Sequence, residues 1–280
     1  MTSIPAGTRL PISALPTSAP AALPRLATLV AGPPTGPGIL LAHGATGSIR
    51  GNYERLIAVL AASGHRVVAP DYPGSGDTPR AAGPLELDGL ADALVAEATA
   101  AGVETFTLIG FSMGAAVSLR AATRHPARVR GLALTAGLAK ADVRTSVTMD
   151  LWLHLLERGD HVGFARAGTL SGPAPEFLDA LSPKELAAVL DPDLPPRGSA
   201  EQAALVKTLD ATADLAGITV PTLVIATTQD PLVHPSHSRY LADRIPAAEY
   251  AEIATGHLPM IERPEEWAEL IAGFLARHRL

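Results

Sequence analysis

Thr107-Leu108-Ile109-Gly110-Phe111-Ser112-Met113-Gly114-Ala115-Ala116 is the stretch that decides the fold. An apolar run ends on a glycine, a serine follows at a turn, and small residues continue at helical spacing through Val117, Leu119 and Ala122. This reads as a buried strand turning sharply into a helix. A serine at such a turn sits in strained backbone, and only tiny neighbours allow the approach, which gives Gly110 and Gly114 a steric reason. The helix then starts beside the serine oxygen with its free N–H groups and positive dipole end.

The pattern outward from this segment is a regular alternation. Strand runs are expected at Gly38–His43, Arg66–Pro70, Phe106–Ile109, Val129–Thr135, Thr222–Ala226 and Tyr250–Ile253. Helical patterns fill the spaces at Tyr53–Ser63, Leu85–Ala101, after Ser112, Pro235–Ile245 and from Pro264 onward. Such an order predicts an α/β fold, a doubly wound and mostly parallel sheet with right-handed crossovers. Residues 1–37 are dotted with proline, and Leu10–Ile12 and Leu26–Val30 fit antiparallel edge strands. The alternation stops between Leu138 and Gly217, where proline-separated helical patches follow one another without strands. Leu151, Trp152, Leu155 and Leu156 form one apolar face there, and Ser182-Pro183 opens a further helix as N-cap and first residue. The expected division is a core of residues 1–137 and 218–280 with a helical cap inserted at 138–217.

Composition narrows the function. With 280 residues, 47% of them apolar, the chain holds enough material for one large core. A net charge of −6 leaves no basic footprint for nucleic acid, and no basic amphipathic helix or apolar run of membrane-spanning length is present. The absence of cysteine removes disulfides, thiol catalysis and thiolate metal sites together. Met1–Leu10 has a single arginine and no long apolar stretch, unlike a secretory signal, so a cytoplasmic location is expected.

A serine hydroxyl needs a base within reach, and the base needs an orienting carboxylate. One candidate for each stands after a strand run: Ser112, Asp230 and His257. Chemistry on open parallel sheets collects at these strand ends, and Ser–Asp–His is the chain order expected there. Taken alone, Asp230 before Pro231 reads as a turn initiator and His257 as a loop residue; the three together read as a catalytic triad. Two N–H groups are needed for a developing oxyanion. Met113 follows the nucleophile, and the loop His43-Gly44-Ala45-Thr46-Gly47 offers Ala45 first and Thr46 second. His43 reads as a brace for that loop. His234 and His237 read as a solvated first helical turn, so no metal site is expected. Thr46, Trp152 and Phe164 are candidates for contacts to a small-molecule substrate.

Five segments carry a resemblance: Leu41-Ala-His-Gly44, Ala69-Pro-Asp-Tyr-Pro-Gly-Ser-Gly-Asp77, Gly110-Phe-Ser-Met-Gly114, Thr228-Gln-Asp-Pro-Leu-Val233 and Gly256-His-Leu-Pro-Met-Ile-Glu-Arg-Pro-Glu265. With these the chain resembles the α/β-hydrolases. The resemblance implies Ser112 as nucleophile, His257 as base, Asp230 as acid, no cofactor, and an eight-stranded sheet with the site between sheet and cap. Epoxide hydrolases and haloalkane dehalogenases of that fold carry an aspartate where Ser112 stands. The four tyrosines (Tyr53, Tyr72, Tyr240, Tyr250) all lie outside the cap, which removes the phenolic acid of an epoxide opener. The expected activity is a serine hydrolase cleaving an ester, thioester or lactone. C–C cleavage, cyclisation, acyl transfer and cofactor-free perhydrolysis at the same triad remain open, as does a non-catalytic binding role. Oligomeric state is not readable.

Overall fold

The run around Ser112 forms β4 (Phe106–Phe111), the middle strand of a seven-stranded sheet in the computed structural model, which describes residues 23–190 and 194–280. β4 lies between β2 (Gly38–Ala42) and β5 (Val129–Thr135), parallel to both. Outside them come β3 (Arg66–Pro70) on one side and β6 (Thr222–Thr227) with β7 (Glu249–Ile253) on the other. The first strand, β1 (Thr28–Ala31), closes the β3 edge antiparallel to it, as expected for Leu26–Val30. Leu10–Ile12 lies outside the described residues. The described residues hold seven strands where the resemblance implied eight.

Side chains of the central strands alternate between two apolar layers, the period-2 consequence of the pleat. Ile39, Leu41, Ile109 and Phe111 face α1 (Ile49–Ala62) and α11 (Pro264–His278), which contribute Tyr53, Leu56, Trp267 and Phe274. Leu40, Ala42, Phe106 and Leu108 face α2 (Leu87–Ala100), α3 (Met113–Arg124) and α9 (Ser236–Arg244). Helix α1 starts at Ile49, before the expected Tyr53, because the Ser48 side chain caps it by accepting from the Gly51 N–H.

Between β5 and β6 the chain runs through α4 (Val143–Glu157), α5 (His161–Ser171), α6 (Pro175–Asp179), α7 (Pro183–Leu190) and α8 (Ser199–Thr208). The two chain ends of this insertion meet in a β-bridge between Lys140 and Asp210, reinforced by their ion pair at 2.8 Å. Ser182 caps α7 as expected, in a reciprocal capping box: its hydroxyl accepts from the Glu185 N–H, and the Glu185 carboxylate accepts from the Ser182 N–H at 2.9 Å. The apolar face expected on α4 is corrected. Leu151 is 48% exposed, and the buried face is Thr145, Met149 and Trp152, at i, i+4 and i+7. No helix among the described residues is long and apolar enough to cross a membrane.

Candidate active site

Ser112 follows β4 directly, with φ 54° and ψ −120°. For a residue with a β-carbon this is costly backbone, and it persists only where the surroundings enforce it. They do so here. The Ser112 N–H donates to the Thr135 carbonyl at 3.0 Å, tying the turn to β5. A β-carbon on Gly114 would lie 2.0 Å from the Ala42 carbonyl oxygen, and one on Gly110 would lie 2.6 Å from the Gly114 carbonyl oxygen. The close approach of α3 to β2 and β4 therefore requires both glycines.

Three strand ends bring the polar groups together. The His257 Nε2 lies 2.9 Å from Ser112 Oγ, and its Nδ1 lies 2.7 Å from Asp230 Oδ2. Asp230 is held from its other sides. Its Oδ1 accepts from the Leu232 and Val233 N–H groups, each at 2.8 Å, and its Oδ2 accepts from the Thr227 hydroxyl at 2.9 Å. Donors surround the carboxylate, so it accepts the Nδ1 proton and fixes the imidazole with Nε2 free to face the serine. The Phe111 ring packs 4.9 Å from the His257 ring and limits its tilt. All three polar residues are buried, with Ser112 the most open at 8%.

The loop after β2 can be read donor by donor. The Gly44 N–H donates to Asn52 Oδ1 at 3.0 Å, the Thr46 N–H to Gln202 Oε1 at 2.7 Å, and the Gly47 N–H to the Gly44 carbonyl at 3.3 Å. The Ala45 N–H has no partner among the described residues, and neither has the Met113 N–H at the start of α3. Of the two loop residues weighed from sequence, Thr46 is therefore already occupied and Ala45 is available. His43 braces the same loop, as expected. Its Nδ1 bonds the Gly44 carbonyl at 2.8 Å, and its Nε2 accepts from the Tyr72 N–H at 2.9 Å. That pattern needs the neutral ring, and complete burial pushes its pKa down to about 4.

A cavity of about 280 Å³ opens on Ser112 and His257. The core contributes Ala45, Thr46 and Leu232, and the insertion contributes Thr145, Met149 and Trp152 from α4 and Val206 from α8. Among the described residues, no aspartate, glutamate, lysine or arginine lines it. Thr46 and Trp152 both line this cavity. Phe164 does not: it packs edge-on against Trp152 at 5.5 Å, behind the wall, because α5 turns it toward α4. His234 contacts the Ser236 hydroxyl at 2.9 Å, and His237 faces Asp142 at 3.2 Å.

Sequence reasoning missed Asn52, Gln202 and Glu262. Glu262 accepts from the Gly256 N–H at 2.8 Å and from the Ala174 N–H at 3.1 Å, linking the histidine loop to the α5–α6 junction. It lies inside the quoted segment 256–265, so a signal existed without an assigned role. Gln202 sits in a stretch of mixed small, polar and apolar residues and carried no signal at all.

The chain belongs to the alpha/beta hydrolase fold family, whose model matches residues 37–264. It is an enzyme of the hydrolase class. It is 35% identical over 244 residues to a pyrrolizixenacetamide deacetylase of Xenorhabdus hominickii, covering 86% of this chain and 91% of that one. It is 30% identical over 263 residues to a pimeloyl-acyl-carrier-protein methyl ester esterase of Neisseria meningitidis, covering 85% and 76% of the two chains. The fold matches a thermophilic esterase from Thermogutta terrifontis with a TM-score of 0.80 at 24% identity, over 91% and 94% of the two chains.

Proposed function

We propose that this hydrolase acts through an acyl-enzyme on Ser112 and cleaves small, uncharged esters, thioesters, lactones or acetamides. The observation that carries the reading is the continuous contact from Ser112 Oγ through His257 to Asp230, at 2.9 and 2.7 Å. As the Ser112 oxygen attacks the substrate carbonyl, His257 Nε2 takes its proton and Asp230 stabilises the imidazolium. The Ala45 and Met113 N–H groups bind the oxygen on which negative charge develops. His257 then gives its proton to the leaving group. Water, deprotonated by the same nitrogen, attacks the acyl-enzyme and releases the acid.

The substrate class follows from the wall. A charged group entering a cavity without a charged partner would lose hydration uncompensated, so the substrate is neutral around its carbonyl. The modest volume favours a small molecule. An acetamide enters the range because a deacetylase is among the relatives. We assign residues 138–217 as a cap, with 1–137 and 218–280 as the core, because α4, α5 and α8 supply one wall of the cavity.

The test is turnover of short-chain p-nitrophenyl esters and N-acetyl amides by the wild type and Ser112→Ala, with mass analysis of products formed in isotope-labelled water. The expected result is solvent oxygen in the released acid and loss of turnover in the variant. Unchanged turnover in Ser112→Ala sinks the mechanism, and product without solvent oxygen sinks hydrolysis.

A further inference from the structure

Gln202 has an exposure of 0% although it sits on α8, outside the sheet domain, and its carboxamide joins three chain segments. Its Oε1 accepts from the Thr46 N–H at 2.7 Å. Its Nε2 donates to the Pro73 carbonyl at 3.2 Å and to the Ser75 hydroxyl at 2.9 Å. The orientation of the amide is fixed chemically, since an N–H must meet the oxygen and a carbonyl must meet the NH2. Only a carboxamide offers an acceptor and two donors from one planar head. Thr46, the residue it grips, has φ 59°, a left-handed conformation that a β-branched side chain avoids. Something must hold it there, and the shortest hydrogen bond of the loop is the one its N–H donates to Gln202.

The peptide N–H of Ala45 lies between two anchored points. On one side the Gly44 N–H is fixed by Asn52, and on the other the Thr46 N–H is fixed by Gln202. Both anchors leave Ala45 as the unpaired donor of the loop among the described residues. We infer that Gln202 is a positioning residue of the oxyanion site: it holds Thr46 so that the Ala45 N–H faces the reacting carbonyl, and it makes that alignment depend on the seating of α8. The inference rests on the proposed acyl-enzyme at Ser112. It adds a residue that touches no substrate and acts through the loop. The close contact of Gly198 with Gly74, whose carbonyl accepts the Gly198 N–H at 3.1 Å, brings α8 near enough for the side chain to reach.

The test compares Gln202→Met, which keeps length and volume without hydrogen bonds, with Gln202→Glu, which keeps an acceptor for the Thr46 N–H. For p-nitrophenyl butyrate, Gln202→Met is expected to lose about ten- to hundredfold in kcat, short of the roughly 10²–10³ lost with an oxyanion donor itself. KM should stay within about threefold, and Gln202→Glu should fall between Gln202→Met and wild type. Affinity for an alkyl boronic acid, which forms a tetrahedral adduct on serine, should fall in proportion to kcat/KM, because the adduct uses the same N–H groups. A merely structural role would lower the melting temperature without moving adduct affinity. The inference is overturned if Gln202→Met keeps kcat within about twofold, if both variants lose equally, or if the boronic acid binds as before. Should Gln202→Met give no cooperative melt, Gln202→Glu decides by the same proportionality. Turnover surviving in Ser112→Ala would overturn the acyl-enzyme and this role together. A silent Gln202→Met in an enzyme that Ser112→Ala abolishes overturns this role alone.

Discussion

Asp230 accepts four hydrogen bonds, and the proposed mechanism asks it to hold one imidazole in a single tautomer. Replacing it by asparagine keeps the shape but presents an NH2 to donors and favours the wrong histidine tautomer. Asp230→Asn is expected to lower kcat by about 10⁴-fold with the fold intact, read by ester turnover beside circular dichroism. His43 makes a prediction of the opposite kind, on stability and not on rate. Its folded pKa of about 4 lies below the usual 6.5, because burial outweighs the Gly44 carbonyl that favours the charged ring. The unfolded chain therefore binds the proton first as pH falls. The stabilisation is complete above pH 6.5 and is lost between 6.5 and 4 at about 1.4 kcal/mol per pH unit. Asp71 lies 3.8 Å from Nε2, and burial raises its own pKa. Urea unfolding of wild type and His43→Gln across this range should show the steeper slope in the wild type; equal slopes would refute the assignment. Ser112, His257 and Asp230, the proposed nucleophile, base and acid, were singled out from residue type and order, and the structure brings them into contact. Ala45 could be separated from Thr46 only by seeing which N–H was already bonded.

At the scale of elements, the strand–turn–helix around Ser112 depends on distance. Gly114→Ala places a methyl 2.0 Å from the Ala42 carbonyl oxygen, a backbone atom that cannot swing away. Helix α3 must then shift from β2, which is expected to cost about 1–3 kcal/mol in urea unfolding and to lower activity with it. The histidine loop has its own fastener in Glu262. Glu262→Gln puts an NH2 either at Oε2, facing the Gly256 and Ala174 N–H groups, or at Oε1, facing the Leu258 N–H. A loss of about 1–3 kcal/mol is expected, measured by thermal and urea melts. These elements were visible as apolar runs with the right periods, and their boundaries moved by a few residues, at α1 because Ser48 caps the helix earlier and at α2, α9 and β4 without a side-chain cap. The insertion was less legible. Helices α5, α6 and α7 bury no residue fully and α4 buries one narrow face, so Leu151 and Trp152, adjacent in sequence, part company only once α4 is seated.

At the scale of the whole molecule, the cavity lies between two bodies of chain that are far apart in sequence. Thr46 and Leu232 come from one, Met149, Trp152 and Val206 from the other. Met149→Ala removes side-chain volume from the wall and is expected to raise the kcat/KM ratio of hexanoyl over acetyl esters by about tenfold, the scale of a methylene or two in an apolar pocket. An unchanged ratio across an acyl series would place the acyl chain elsewhere. The sequence by itself determined the mostly parallel sheet, the sharp turn at Ser112 and the proposed Ser112, Asp230 and His257 set, because strand periodicity, steric smallness and residue chemistry are local properties. Only the tertiary structure decided that Phe164 stands behind the wall, that Ala45 has the free loop N–H among the described residues, and that Gln202 bonds the loop. Those facts are set by contacts such as the one spanning 156 residues from Thr46 to Gln202, and no local pattern encodes which distant side chain will fill a bond.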